Sequence, residues 1–172
     1  TIQRSIMLEL AEALRQILAA IPAPTHERVP LGQADRRILA ERVTAPIDLP
    51  VFDNSAMDGY AVRFADLKDD GARLKLAGTS FAGVPFQGRL NAGECVRIMT
   101  GGVVPMGADT IVMQEHVTVD KDRVVIGGGH RQGQNLRRAG EDLKTGQVAL
   151  ARGLALRPAE IGLVASLGIG GI

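Results

Sequence analysis

Apolar residues follow a helical period only near the two ends of this chain; between them the period drops to two. Ile6, Leu10, Leu14, Ile17 and Ile21 recur about one turn apart behind Ser5, a residue type that caps helix starts, and Pro22 and Pro24 end the run. Glu9, Glu12 and Arg15 lie mostly off that stripe. At the other end Pro158 opens a helix to Leu167, with Ile161, Val164 and Ala165 on one face and Gly168 as its stop. A second short helix is expected from Gln33 to Val43, and Pro46 and Pro50 hold residues 45–50 extended.

The middle reads as strands. Arg73-Leu74-Lys75-Leu76 alternates, and so does His116-Val117-Thr118-Val119-Asp120, which a Lys121-Asp122 turn joins to Val124-Val125-Ile126 as a hairpin. Glu94 to Met99, Thr110 to Met113 and Val148 to Leu150 add further strands, and residues 127–146 read as loop. With 21 glycines and 8 prolines in 172 residues, turns are frequent and elements short. The expected class is α+β: a mostly antiparallel β lobe, residues 46–142, inserted into a small α/β domain built from residues 1–45 and 143–172. The chain starts at Thr1 and stops abruptly after Gly168-Ile169-Gly170-Gly171-Ile172, so a fragment of a longer protein is expected.

Composition removes several function classes. The 20 basic and 19 acidic residues leave a net charge of +1, which argues against a broad grip on nucleic acid or anionic lipid. Aromatic residues are 3% with no Trp, too few for base-stacking platforms. The single cysteine, Cys95, excludes an internal disulfide and a tetrathiolate zinc site, and its apolar strand pattern suits burial rather than reactivity. His26, His116 and His130 lack ligand spacing and are expected to be solvated or locally bonded. The glycines at 127–129 lack the Lys-Ser/Thr that a phosphate loop requires, and no Ser–His–Asp arrangement is visible. No stretch approaches the roughly 20 apolar residues that span a bilayer, and the start has no secretory apolar run. A cytoplasmic protein is expected, binding neither nucleic acid nor membrane.

Three stretches carry candidate chemistry. Asp53-Asn54-Ser55-Ala56-Met57-Asp58-Gly59 packs polar turn formers beside Phe52 and Tyr60; it is either a turn-rich strand connection or a place where Asp58 holds a hard cation such as magnesium. In Arg97-Ile98-Met99-Thr100-Gly101-Gly102, glycines after a hydroxyl let backbone amides turn toward an oxyanion, or simply end a strand. Glu115, at the end of the next strand, reads as an exposed charge. In Asn135-Leu136-Arg137-Arg138-Ala139-Gly140-Glu141-Asp142, two arginines could clamp phosphate by forked hydrogen bonds while Glu141-Asp142 balances them or meets a cation; the alternative is a solvated mixed-charge loop. Two loop carboxylates and a hydroxyl near glycine turns suit a metal–oxyanion site better than a nucleophilic one.

Together these stretches resemble the N-terminal part of the molybdopterin molybdenumtransferase family, which includes the C-terminal domain of gephyrin. The motifs that carry the resemblance are LPVFDNSAMDGYAVR at 49–63, RIMTGGVVPMGADTIVMQE at 97–115, NLRRAGED at 135–142 and LRPAEIGLVASLGI at 156–169. The first is highly specific as a complete string, and the match covers essentially the whole chain. The resemblance implies insertion of molybdenum from molybdate into adenylylated molybdopterin, with release of AMP and with Mg2+ as cofactor. It implies a homodimer, a dimerising segment with an inserted β lobe, and a partner enzyme upstream, molybdopterin adenylyltransferase. The site would lie between this β lobe and a later, pterin-binding domain of the other subunit, whose distinctive motif does not occur in this sequence. Asp58, Thr100 and Asp142 fall on family positions tied to catalysis, Asp58 and Asp142 as metal ligands, with Ser55, Arg137 and Arg138 as neighbours that bind the cofactor. This chain would then hold half a site and be inactive alone. The resemblance also admits a non-catalytic scaffold or dimerisation module of the gephyrin kind.

Overall fold

The computed structural model describes residues 8–68 and 70–172. The expected cap at Ser5 and first apolar position at Ile6 lie outside them. Helix α1 runs Leu10–Ala20, and its stripe residues Leu10, Leu14 and Ile17 are all more than half exposed. Among the described residues, none of this helix is buried. Helix α2 runs Pro158–Ser166, opened by Pro158 and by Glu160, whose carboxylate accepts hydrogen bonds from the Arg157 amide and guanidinium. Gly168 follows at φ 74°, the left-handed turn that ends the helix.

The helix expected over Gln33–Val43 does not form. Residues Leu31–Gln33 make one 3-10 turn, Arg36 takes φ 61°, and the chain then runs extended into strand β1, Val43–Thr44. The physical reason is a better partner: the amides of Arg36 and Leu39 donate to the carbonyls of Leu156 and Leu154 on the returning chain, not to their own preceding turn. Ala34, Leu39, Val43 and Ala45 still face inward, packing with Leu150, Leu156, Val164 and Leu167 in one core made from both ends of the chain.

The middle of the chain forms a six-stranded sheet in the order β6-β3-β5-β4-β8-β7, made of β3 (Gly59–Val62), β4 (Ala72–Ser80), β5 (Glu94–Ile98), β6 (Thr110–Met113), β7 (Val117–Asp120) and β8 (Arg123–Ile126). The β7–β8 hairpin turns at Lys121, as expected. Both faces of the sheet are covered. Tyr60, Val62, Leu74, Cys95, Val112, Val124 and Ile126 fill one side, and Ala61, Leu90, Val96, Ile98 and Ile111 fill the other. Strand β3 is buried along its whole length. The sheet is mostly antiparallel, with one departure: β4 and β5 run parallel. The long 81–93 link gives the chain the length a parallel crossover needs, and Phe86 in that link packs against Gly78, where a Cβ would come within 2.8 Å of its ring.

A narrow antiparallel ribbon joins the two cores. On one side it holds β1 and then β2 (Asn54–Ser55); on the other, β9 (Leu136–Arg137) and β10 (Val148–Leu150). β1 pairs with β10, Leu49 bridges Leu143, and β2 pairs with β9. The Leu49–Pro50 peptide within it is cis. Asp48 ties the ribbon from its edge by accepting from the amide and hydroxyl of Thr145.

Candidate active site

Strand β2 is the point where the three candidate stretches meet. The Ser55 amide donates to the Gly102 carbonyl, and the Gly101 amide donates back to the Ser55 carbonyl, joining the first stretch to the second. On its other edge Ser55 pairs with Leu136 and Asn54 with Arg137, joining the first to the third. The Ser55 side chain is spent locally. It is buried, its hydroxyl donates to the Met57 carbonyl at 2.5 Å, and it accepts from the Met57 amide. This is a serine turn of the kind the spacing allows.

That turn delivers Asp58 to the end of β3. Asp58 Oδ1 accepts both the Thr100 amide and the Thr100 hydroxyl, each at 2.8 Å. These bonds, together with the nearby Arg97 charge, hold the Asp58 carboxyl below the usual carboxylate range. Its Oδ2 accepts no hydrogen bond among the described residues. Gly101, at φ 78°, supplies the turn that lets the Thr100 amide face the carboxylate. Gly59 is required for a different reason: a Cβ there would sit 2.0 Å from the Val112 carbonyl oxygen, because β6 passes directly alongside. Asp58 and Thr100 share a shallow depression of about 240 Å³ with Met57, Met113, Gln114 and Glu115. Glu115 is exposed there, as its strand-end position led us to expect.

The third stretch folds into a chain of ion pairs. Arg137 Nε donates to Glu141 Oε1, and its Nη2 donates to both oxygens of Asp142, all at 2.6 Å. Arg138 Nη1 donates to Asp53 Oδ2 at 2.6 Å, and the Ala139 amide caps the other Asp53 oxygen. Burial works against ionisation of Asp53, yet these donors hold it below the ordinary range. Glu141 is held low in turn by the Arg138 amide and the Arg137 side chain. Both arginines are therefore already neutralised by carboxylates of this chain. Asp58 and Asp142 share no hydrogen-bonding partner.

Magnesium needs few protein ligands, since it completes its shell with water and phosphate oxygens. Among the described residues no group of three or more His, Cys, Asp and Glu side chains is disposed to hold a metal ion by itself. The donor set fits such an ion at Asp58, through the open Oδ2. At Asp142 both oxygens already accept from Arg137 Nη2, so an ion there would compete with that guanidinium.

Sequence reasoning gave Asp53, Asp48 and Arg97 no role of their own. The signal for Arg97 was present, as one charged residue inside the apolar strand pattern Glu94-Cys95-Val96-Arg97-Ile98. Asp53 and Asp48 carry no such mark, because their partners lie 85 to 97 positions away. Among the described residues no helix is long and apolar enough to cross a membrane.

A family model described as the MoeA N-terminal region (domain I and II) matches residues 8–168. The chain is 47% identical over 165 residues to the molybdopterin molybdenumtransferase of Haemophilus influenzae, covering 95% of this chain and 41% of that protein. It is 39% identical to the molybdopterin molybdenumtransferase of Synechococcus elongatus, again over 41% of the relative. In structure it is similar to the molybdopterin biosynthesis moeA protein of Pyrococcus horikoshii, with a TM-score of 0.87 and 34% identity over 94% of this chain and 44% of that one.

Proposed function

Because this chain belongs to the MoeA N-terminal region family, we propose that it forms one side of a site that inserts molybdenum from molybdate into adenylylated molybdopterin and releases AMP. It spans 41% of the Haemophilus and Synechococcus relatives, and in this reading the pterin-binding side of the site belongs to the region it does not cover. The observation that carries the reading is the Asp58–Thr100 contact, which draws two motifs 42 positions apart to the rim of one depression.

Both reactants are anions, and their mutual repulsion grows in a cleft that excludes water. The chain's own contribution is positioning. Asp58 is held ionised and fixed in direction by two donors, with one oxygen left open. Asp58 would hold a magnesium ion, and the ion's charge would offset that repulsion when bound. Thr100 sets the direction of the carboxylate. Asp142 and Glu141 hold Arg137 in one orientation through Nε and Nη2, so an oxyanion would meet it through Nη1 or by displacing a carboxylate. Ser55 and Arg138 serve by shaping the loops, through Met57 and Asp53 respectively.

The exposed stripe of α1 supports the homodimer. Leu10, Leu14, Ile17 and Ile21 project an apolar row that stays exposed among the described residues, and a second copy would bury it. A partnership with the enzyme that supplies adenylylated molybdopterin follows from the proposed substrate.

The test is molybdenum insertion by the complete protein carrying Asp58→Asn. Losing one preorganised group typically costs on the order of 10²–10³ in rate. A variant as active as wild type removes Asp58 from the mechanism. Residues 1–172 alone are expected to show no turnover, and full activity of that piece would refute the shared site.

A further inference from the structure

Asp58 stands where three strand ends come together, and one side chain spans all three. Arg97 on β5 lies directly opposite Tyr60 on the central strand β3, with its guanidinium 5.0 Å from the centre of the Tyr60 ring. Its Nη1 donates to the Gly59 carbonyl at 3.1 Å, one residue beyond Asp58. Its Nη2 reaches past β3 to donate to Gln114 Oε1, just after the end of β6. The Gln114 amide donates in turn to the Asp58 carbonyl at 3.1 Å. Three residues beyond Arg97 on the same strand end is Thr100, the residue that holds the Asp58 carboxylate. The fork, the stack and the return bond form a closed circuit around Asp58 and Thr100.

We infer that Arg97 is the positioning residue of the Asp58–Thr100 pair, clamping the ends of β3, β5 and β6 so that the carboxylate and its two donors keep one geometry. A planar, fixed fork suits this role because it can bond to two strands at once while lying flat on an aromatic ring. Lysine offers a single ammonium and cannot make both bonds in the same directions. Arg97 acts through Asp58 and has no assigned contact with substrate. The inference deepens the function proposed above and rests on it for its catalytic consequence, though not for the geometry.

Two measurements separate the claims. In the 172-residue chain without substrate, the Thr100 amide resonance reports the geometry of the Asp58–Thr100 pair. Arg97→Gln is expected to move that amide resonance, while amides around Leu156 and Val164 stay in place. Arg97→Lys keeps the charge but not the fork, and is still expected to displace the Thr100 amide. Gln114→Ala cuts the same circuit without touching β5, and is expected to displace that amide in a sheet that keeps all its strand residues. A wild-type Thr100 amide in folded Arg97→Gln, or an undisturbed amide in Gln114→Ala, overturns the inference. In the complete protein, Arg97→Gln is expected to lower kcat on the order of tenfold to a hundredfold with KM little changed. Wild-type turnover in Arg97→Gln with an inactive Asp58→Asn overturns Arg97 and leaves the proposed function standing. Wild-type turnover in both removes the proposed function, and the amide measurement then decides the positioning role alone.

Discussion

Asp58 and Thr100 meet through a single oxygen: Asp58 Oδ1 accepts the backbone and the side chain of Thr100 together. The amide fixes the distance and the hydroxyl fixes the rotation of the carboxylate. Thr100→Val keeps the first and deletes the second at nearly constant volume. Asp58 is expected to titrate higher in this variant, and molybdenum insertion by the complete protein to fall on the order of 10²-fold. Because the pair lies at the surface, the thermal midpoint should hardly move. Thr100→Ser, which restores the hydroxyl, should recover most of the rate. The carboxyl titration and the turnover, measured side by side, check the expectation.

Gly59 sits beside that pair and tolerates no side chain. A Cβ would lie 2.0 Å from the Val112 carbonyl oxygen, so Gly59→Ala must push β3 away from β6 or move the chain locally. Forced backbone shifts of this kind cost about 1–3 kcal/mol. Urea unfolding of the 172-residue chain should show that loss. The Thr100 amide resonance should shift as well, since Asp58 is the neighbouring residue. A variant of unchanged midpoint would mean that the two strands can separate freely here.

The strand pattern made most of the sheet legible. Strands at 94–98 and 110–113, the hairpin over 117–126 and the last helix all stand where their spacing places them. Two features were not legible. Periodicity reports which face a side chain occupies, and says nothing about which strand lies next door, so the parallel β4–β5 pair was hidden in an otherwise antiparallel pattern. Residues 33–43 carried apolar spacing compatible with a helix, and the competing hydrogen bonds came from residues 154–156, far along the chain. The site divides in the same way. Asp58 and Thr100 are separately conspicuous in their motifs, and their meeting at one oxygen is a product of the β3–β5 register. The arginines at 137 and 138 looked available for an oxyanion; the acids that neutralise them include Asp53, 85 positions earlier.

Cys95 offers a direct probe of the lobe's integrity. Burial, and then the neighbouring charge of Glu94, push its thiol up to about 12. The thiolate is the reactive species, and a free cysteine titrates near about 8.5. At about pH 8 the native chain should therefore resist iodoacetamide, and it should label readily in denaturant. Labelling of the native chain at the rate of a free thiol would show that the sheet opens often between β5 and its neighbours. The same assay applied to Gly59→Ala should show faster labelling.

Acid should unfold this chain through depressed carboxylates, and Glu160 is the clearest of them. Its hydrogen bonds to the Arg157 side chain lower it from 4.5 to about 2, with the Arg157 amide adding to the effect. A carboxyl lowered on folding binds its proton less readily in the native chain than in the unfolded one. Its contribution is therefore fully present above pH 4.5 and is lost as the pH falls toward about 2. Asp48, Asp53, Asp58 and Glu141 are also lowered and act with the same sign. Urea midpoints of the wild type should accordingly begin to fall below pH 6.5, where His130, lowered mainly by burial, resists its proton, and decline further as the carboxylates are protonated. Glu160→Gln keeps an acceptor for the Arg157 donors and has no proton to gain. It should start lower than wild type at neutral pH and decline less steeply in acid, so that the two curves converge near about pH 2. Parallel curves across that range would mean that Glu160 titrates alike in the folded and unfolded chain, and that the start of α2 is held by Pro158 and packing alone.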